Sequence, residues 1–121
     1  GEGNTMSILS DFLALVDPIM DGQAYRNVVP DSVIAPYAKF FRVTAVEGVT
    51  LDENGGDDNE TATRIQIDIY GSDVEVDAKV AAVKAALKTW HISNVINLEF
   101  DAYEAEVKLH RTTLDIATIH D

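Results

Sequence analysis

The chain contains no cysteine, so disulfides, thiol catalysis and thiolate metal sites are excluded outright. Bases are scarce: 9 Lys and Arg stand against 21 Asp and Glu, for a formal net charge of −12. Such a chain has no basic patch for gripping nucleic acid, and at long range it is repelled by nucleic acid and by anionic lipid. No apolar run approaches the roughly 20 residues that cross a bilayer as a helix, and no signal-peptide pattern opens the chain. The expectation is a soluble, cytoplasmic protein without a membrane role.

Catalytic and metal-binding patterns are also missing. There is no Gly-x-Ser-x-Gly, no Gly-rich phosphate cradle after a strand and no His-Glu-x-x-His. His91, His110 and His120 lie on separate segments, none beside another at metal-ligand spacing. The acidic stretch Leu51–Glu60 invites a calcium reading. Counted from Asp52, however, the sixth position is Asp57 where an EF-hand loop needs Gly, and the twelfth is Thr63 where it needs Glu. Carboxylates are abundant, but abundance singles out no acid and base. The expectation is a non-enzyme without cofactor or metal.

What is present suits one domain: 121 residues, 46% hydrophobic and 25% charged. Gly1 to Thr5 read as an expression remnant ahead of Met6, leaving 6–121 as the domain. Ile8, Leu9, Phe12, Leu13 and Val16 recur at helical spacing, with Ser7 able to cap, and Pro18 should end that helix. Tyr25–Val29, closed by Pro30, reads as an edge strand. Tyr37–Val46 is a clearer strand, with Tyr37, Phe41, Val43 and Ala45 on one side and Phe40 and Val46 on the other.

Glu47–Glu60 should be a mobile acidic loop. Ile65, Ile67 and Ile69 alternate with Arg64, Gln66 and Asp68 in a half-buried strand, Thr61–Tyr70. Ser72 followed by Glu75 is a capping box. It opens a second helix whose stripe is Val76, Val80, Val83, Leu87 and Trp90, with Glu75 and Lys79 able to pair. Strands over Val95–Asp101 and Glu106–Ile119 follow. The alternation slips between Leu109 and Leu114, which predicts a bulge near His110–Thr113. The fold class expected is α+β, a mainly antiparallel sheet with two helices packed on one face.

Two features suggest association. Tyr37, Phe40 and Phe41 put large rings on both faces of one strand. Arg42, Arg64 and Arg111 sit on strand-like segments of an acidic chain, where they can pair within the chain or with carboxylates of a neighbouring subunit.

In its order of elements the chain resembles the phage tail-completion family, related in role to tail-terminator and tail-to-head joining proteins. The resemblance covers most of the chain after Met6. It rests on the first helix, Pro36-Tyr37 opening a strand, and Ile65-Gln66-Ile67-Asp68-Ile69-Tyr70 leading to the helix that ends Ala85-Ala86-Leu87. It continues through Tyr103-Glu104 and His110-Arg111-Thr112-Thr113-Leu114-Asp115-Ile116. The family pattern leads one to expect a Gly between Tyr103-Glu104 and the last strand, but Ala105–Leu109 has none.

The resemblance implies a structural subunit that caps the tail tube and joins it to the head connector. It would be a ring, typically a hexamer, at the head-proximal end of the tail, assembled in the host cytoplasm from subunits that can start as monomers. The partners it implies are the tail-tube protein, the head-connector protein and DNA, which passes through the lumen without specific binding.

Ring closure needs two different complementary surfaces on each subunit. The expected interface residues are Tyr37 and Phe41, the loop acids Asp52, Glu53, Asp57 and Asp58, then Arg64, Tyr103, Glu104 and Arg111. The loop would engage tube or connector, and acids facing the lumen would keep DNA mobile. The alternative is an acidic DNA-mimic regulator that occupies a nucleic-acid enzyme; a small enzyme has no support in the residues.

Overall fold

Ser7 starts the first helix, α1 (Ile8–Val16), by accepting from the Ser10 amide at 3.1 Å. The helix turns Ile8, Leu9, Phe12 and Val16 inward. A computed structural model describes residues 7–49 and 60–121. After α1 come β1 (Ala24–Arg26), β2 (Tyr37–Val49), β3 (Glu60–Gly71), α2 (Asp73–Thr89), β4 (Ser93–Glu104) and β5 (Leu109–His120). The five strands form one sheet in the order β1-β2-β3-β5-β4. β1 runs parallel to β2 and every other pairing is antiparallel. The class is α+β, with two helices on one face of a mainly antiparallel sheet.

That face is set by strand alternation. Ala38 and Phe40 of β2, Ile65, Ile67 and Ile69 of β3, and Leu114 and Ile116 of β5 are fully buried and form one cluster with the apolar stripes of both helices. α2 contributes Val76, Val80, Val83 and Leu87. Phe12 packs edge-on to Phe40 and to Trp90, with ring centroids 5.3 and 5.8 Å apart.

The capping box forms as its residues predict: Glu75 accepts from the Ser72 amide and Ser72 from the Glu75 amide. It also removes the expected Glu75–Lys79 pair. With the Glu75 carboxylate turned back to the cap, Lys79 donates instead to the Ile19 carbonyl at 2.7 Å and to Asp21 at 3.1 Å. Trp90 is not part of the helical stripe but its extended C-cap, which swings the ring toward Phe12.

Several boundaries depart from the sequence reading. β1 covers Ala24–Arg26 rather than Tyr25–Val29, because Asn27 turns left-handed (φ 70°) and ends the strand. β2 and β3 reach Val49 and Glu60, so the ends of the expected loop are strand. Ala45 lies on the opposite side from Tyr37 and Phe41. A register shift between Arg42 and Thr44 inverts the alternation, so that Ala45 pairs with Thr63 while Thr44 and Val46 pair with Arg64 and Ala62.

The bulge expected in the last strand falls in β4, between Ile96 and Leu98, and β5 keeps unbroken register. The slip in alternation has a simpler origin: Val107 belongs to a turn, Ala105–Lys108, ahead of the strand. The missing Gly is explained there too. Lys108 itself takes the left-handed conformation, at φ 59°, and its amide bonds the Glu104 carbonyl at 2.8 Å.

Candidate functional site

Both helices cover one face of the sheet, and among the described residues no element covers the other. On that open face lie Tyr37, Lys39, Phe41, Thr44 and Val46 of β2, opposite Tyr70, Asp68, Gln66, Arg64 and Ala62 of β3. Arg111, Thr113, Asp115 and Ala117 of β5 continue the rows, then Ala102, Phe100, Leu98 and Val95 of β4.

The centre of the face is polar and internally satisfied. Asp68 is only 4% exposed. It accepts from the Thr113 hydroxyl at 2.6 Å and from the Gln66 carboxamide at 3.1 Å, with the Arg111 guanidinium 3.8 Å away. Arg111 also donates to Glu104 at 2.8 Å and to the Thr113 hydroxyl at 2.7 Å, and stands 5.8 Å from the Phe100 ring centre. Arg64 holds Asp115 with two guanidinium nitrogens.

Tyr37 and Tyr70 stack at 4.9 Å. Burial raises the Tyr37 phenol above its ordinary value, and the Glu104 carboxylate adds to the shift. Burial also raises Tyr70, with Asp68 adding and Arg111 opposing. Both stay neutral donors at physiological pH.

In a chain of net charge −12, the described part of this face sets the cations Lys39, Arg64 and Arg111 among the anions Asp68, Glu104 and Asp115. The pairs described leave Asp68, Asp115, Arg64 and Arg111 matched within the chain. Where the central charges are already paired, a partner can cover them without burying a naked charge, which is what makes burial of ions so costly. Around the paired centre the rim is apolar: Val46, Val95, Leu98 and Phe100 are exposed. An open groove of about 390 Å³ runs at one end between Val28–Val29 and Glu106–Val107, lined also by Tyr37, Tyr70, Lys39 and Glu104.

Of the residues singled out from sequence, Tyr37, Phe41, Arg64, Glu104 and Arg111 come together on this face. The two arginines are engaged within the chain. Tyr103 points to the other side of β4, where its ring meets His110 edge-on at 5.0 Å. Asp52, Glu53, Asp57 and Asp58 lie outside the described residues.

Sequence reasoning missed Asp68, Thr113 and Asp115 at the centre, and Leu98 and Phe100 at the rim. The signal available was a carboxylate between two aliphatic residues in each central strand, Ile67-Asp68-Ile69 and Leu114-Asp115-Ile116, with an arginine of matching alternation close by.

The histidines stay apart. His91 meets Asp11 at 3.0 Å, His110 packs on Tyr103, and His120 bonds the Thr63 hydroxyl at 2.9 Å. Among the described residues no group of three or more His, Asp or Glu is placed to hold a metal ion, and no described helix is long and apolar enough to cross a membrane.

No family model and no curated protein matches the chain. Among solved structures 24 chains match. One belongs to the virion of a native gene transfer agent particle, with a TM-score of 0.58 and 17% sequence identity, covering 89% of this chain and 82% of that one. At that identity the likeness is one of fold.

Proposed function

We propose that the chain is a structural subunit of a phage or prophage tail that caps the tail tube and joins it to the head connector as a ring. The observation that carries this reading is the open face, with its central charges paired internally and exposed apolar residues toward both edges of the sheet. A monomer gains nothing from such a face, whereas an assembling subunit needs it. The fold shared with a chain of a gene transfer agent virion supports the same reading.

Tyr37, Phe41, Arg64, Glu104 and Arg111 belong to that surface, and residues 6–121 act as one assembling domain. Tail-tube and head-connector proteins are the partners, and the site of action is the head-proximal end of the tail in the virion. DNA passes through without being held, since a net charge of −12 offers its phosphates little attraction.

The DNA-mimic reading is disfavoured by α2. Its acids Asp73, Glu75 and Asp77 share the helix with Lys79, Lys84 and Lys88, which breaks any continuous array of carboxylates.

The test is light scattering and electron microscopy of the purified protein, alone and mixed with tail tubes. Rings or capped tube ends are expected. A protein that stays monomeric and ignores tubes overturns the proposal.

A further inference from the structure

The sheet ends in two unlike edges. β1 accompanies β2 only as far as Phe40. From Phe41 onward, no described backbone group pairs with the outer side of β2. β4 forms the opposite edge along its whole length.

Register carries one edge to the other. Leu98 pairs with Asp115, Asp115 with Gln66, and Gln66 with Phe41. By the same steps Val95 stands level with Thr44, and Ser93 with Val46. The free part of β2, Phe41–Val46, is therefore at the same height in the sheet as Ser93–Leu98 of β4.

These two stretches are also the unguarded ones. Soluble proteins protect a solvent-facing edge with charge or proline. The far half of β4 does so, with Glu99, Asp101 and Glu104, whereas Ser93–Leu98 contains no charge and no proline. Phe41–Val46 has Arg42 as its one charge. Apolar side chains on the open face border both: Val46 at 58% exposure on one edge, Val95 at 57% and Leu98 at 52% on the other.

We infer that the occupant of each edge is a second copy of this chain, with Ser93–Leu98 of one subunit adding to Phe41–Val46 of the next. This rests on the ring reading above and specifies its seam. Successive antiparallel pairings make β4 run opposite to β2. A rotation about an axis along the strands preserves strand direction, so the new pair is antiparallel, the more stable kind. Because the two stretches are level, the rotation needs no rise, and the assembly closes instead of climbing into a filament. The open faces join across the seam, bringing Leu98 beside Phe41 and Val95 beside Thr44.

These 121 residues include no cysteine, so introduced thiols report only on the seam. Thr44→Cys and Val95→Cys, combined in one chain, meet at directly opposed cross-strand positions, within disulfide reach. Oxidation at high protein concentration, with and without tail tubes, should give a ladder of covalent multimers ending in one closed species, while each single variant remains uncrosslinked. Leu98→Lys should abolish multimers and leave circular dichroism and the melting temperature of the monomer unchanged.

Rings seen by electron microscopy without crosslinks, or with Leu98→Lys still assembling, overturn the seam and leave the ring reading standing. Dimers from Val95→Cys alone show two β4 edges pairing and overturn it as well. No self-association under any of these conditions overturns both.

Discussion

The Thr113 hydroxyl of β5 donates to the Asp68 carboxylate of β3 at 2.6 Å, on the side of the sheet away from both helices. The same hydroxyl accepts from Arg111 at 2.7 Å, so one oxygen links a buried anion to its cation. Thr113→Val keeps the shape and removes that link. Asp68 then loses its closest donor while remaining buried, which should cost about 1–3 kcal/mol. Thr113→Ser retains the hydroxyl and gives up one methyl group, a loss of about 1 kcal/mol. Urea unfolding of the two variants decides: equal losses would mean that Asp68 does not depend on the hydroxyl.

The stacked tyrosines set an alkaline limit on stability. Tyr37 and Tyr70 both titrate above the ordinary 10.0 in the folded state. Folding therefore favours the protonated phenol. The contribution is fully present below the unfolded value and is lost as pH rises through the folded one. Melting temperature should fall once the pH passes about 10, and Tyr37→Phe and Tyr70→Phe should each flatten that fall. Superimposable melting curves against pH for the parent and both variants would contradict the assignment.

Local signals in this chain were readable and long-range ones were not. Ser72 with Glu75, and the stripe Val76, Val80, Val83 and Leu87, define α2 from within its own segment. Ile65, Ile67 and Ile69 likewise mark the buried side of β3. Insertion of β5 between β3 and β4 depends on partners distant in sequence, and so do the register shifts at Arg42/Thr44 and Ile96/Leu98.

The candidate site divides in the same way. Tyr37, Phe41 and the arginines stood out by residue type. Asp68 and Asp115 did not, because strand alternation alone assigns a carboxylate between two aliphatic residues to solvent. Their burial comes from neighbours on other strands, Thr113 and Arg64.

Lys108 does the work expected of a glycine. Its φ of 59° brings Cβ close to the backbone, at roughly 1 kcal/mol for an ordinary L-residue. Lys108→Gly relieves that strain but gives the unfolded chain more freedom, by about 0.5–1 kcal/mol. The variant should therefore match the parent or slightly exceed it. Lys108→Val places a β-branched side chain in the same conformation and should fall at least about 1 kcal/mol below the glycine variant. Chemical denaturation of the three proteins gives the order. A valine variant as stable as the glycine one would mean that the turn adopts another conformation.

Phe12 and Leu98 separate folding from assembly. Phe12 is fully buried and touches Phe40 on the sheet and Trp90 at the end of α2, so it joins both helices to the covered face. Phe12→Leu leaves part of that volume empty and should cost about 1–3 kcal/mol. Trp90 is the only tryptophan, and its fluorescence reports the loosened packing directly. Because Phe12 and the open face lie on opposite sides of the sheet, rings should still form with Phe12→Leu at temperatures where the variant is folded. Leu98→Lys should do the reverse, with parental fluorescence and stability but no rings. If Phe12→Leu dissolved the rings while still folded, the two faces would be coupled through the sheet, and the open face alone would not account for assembly.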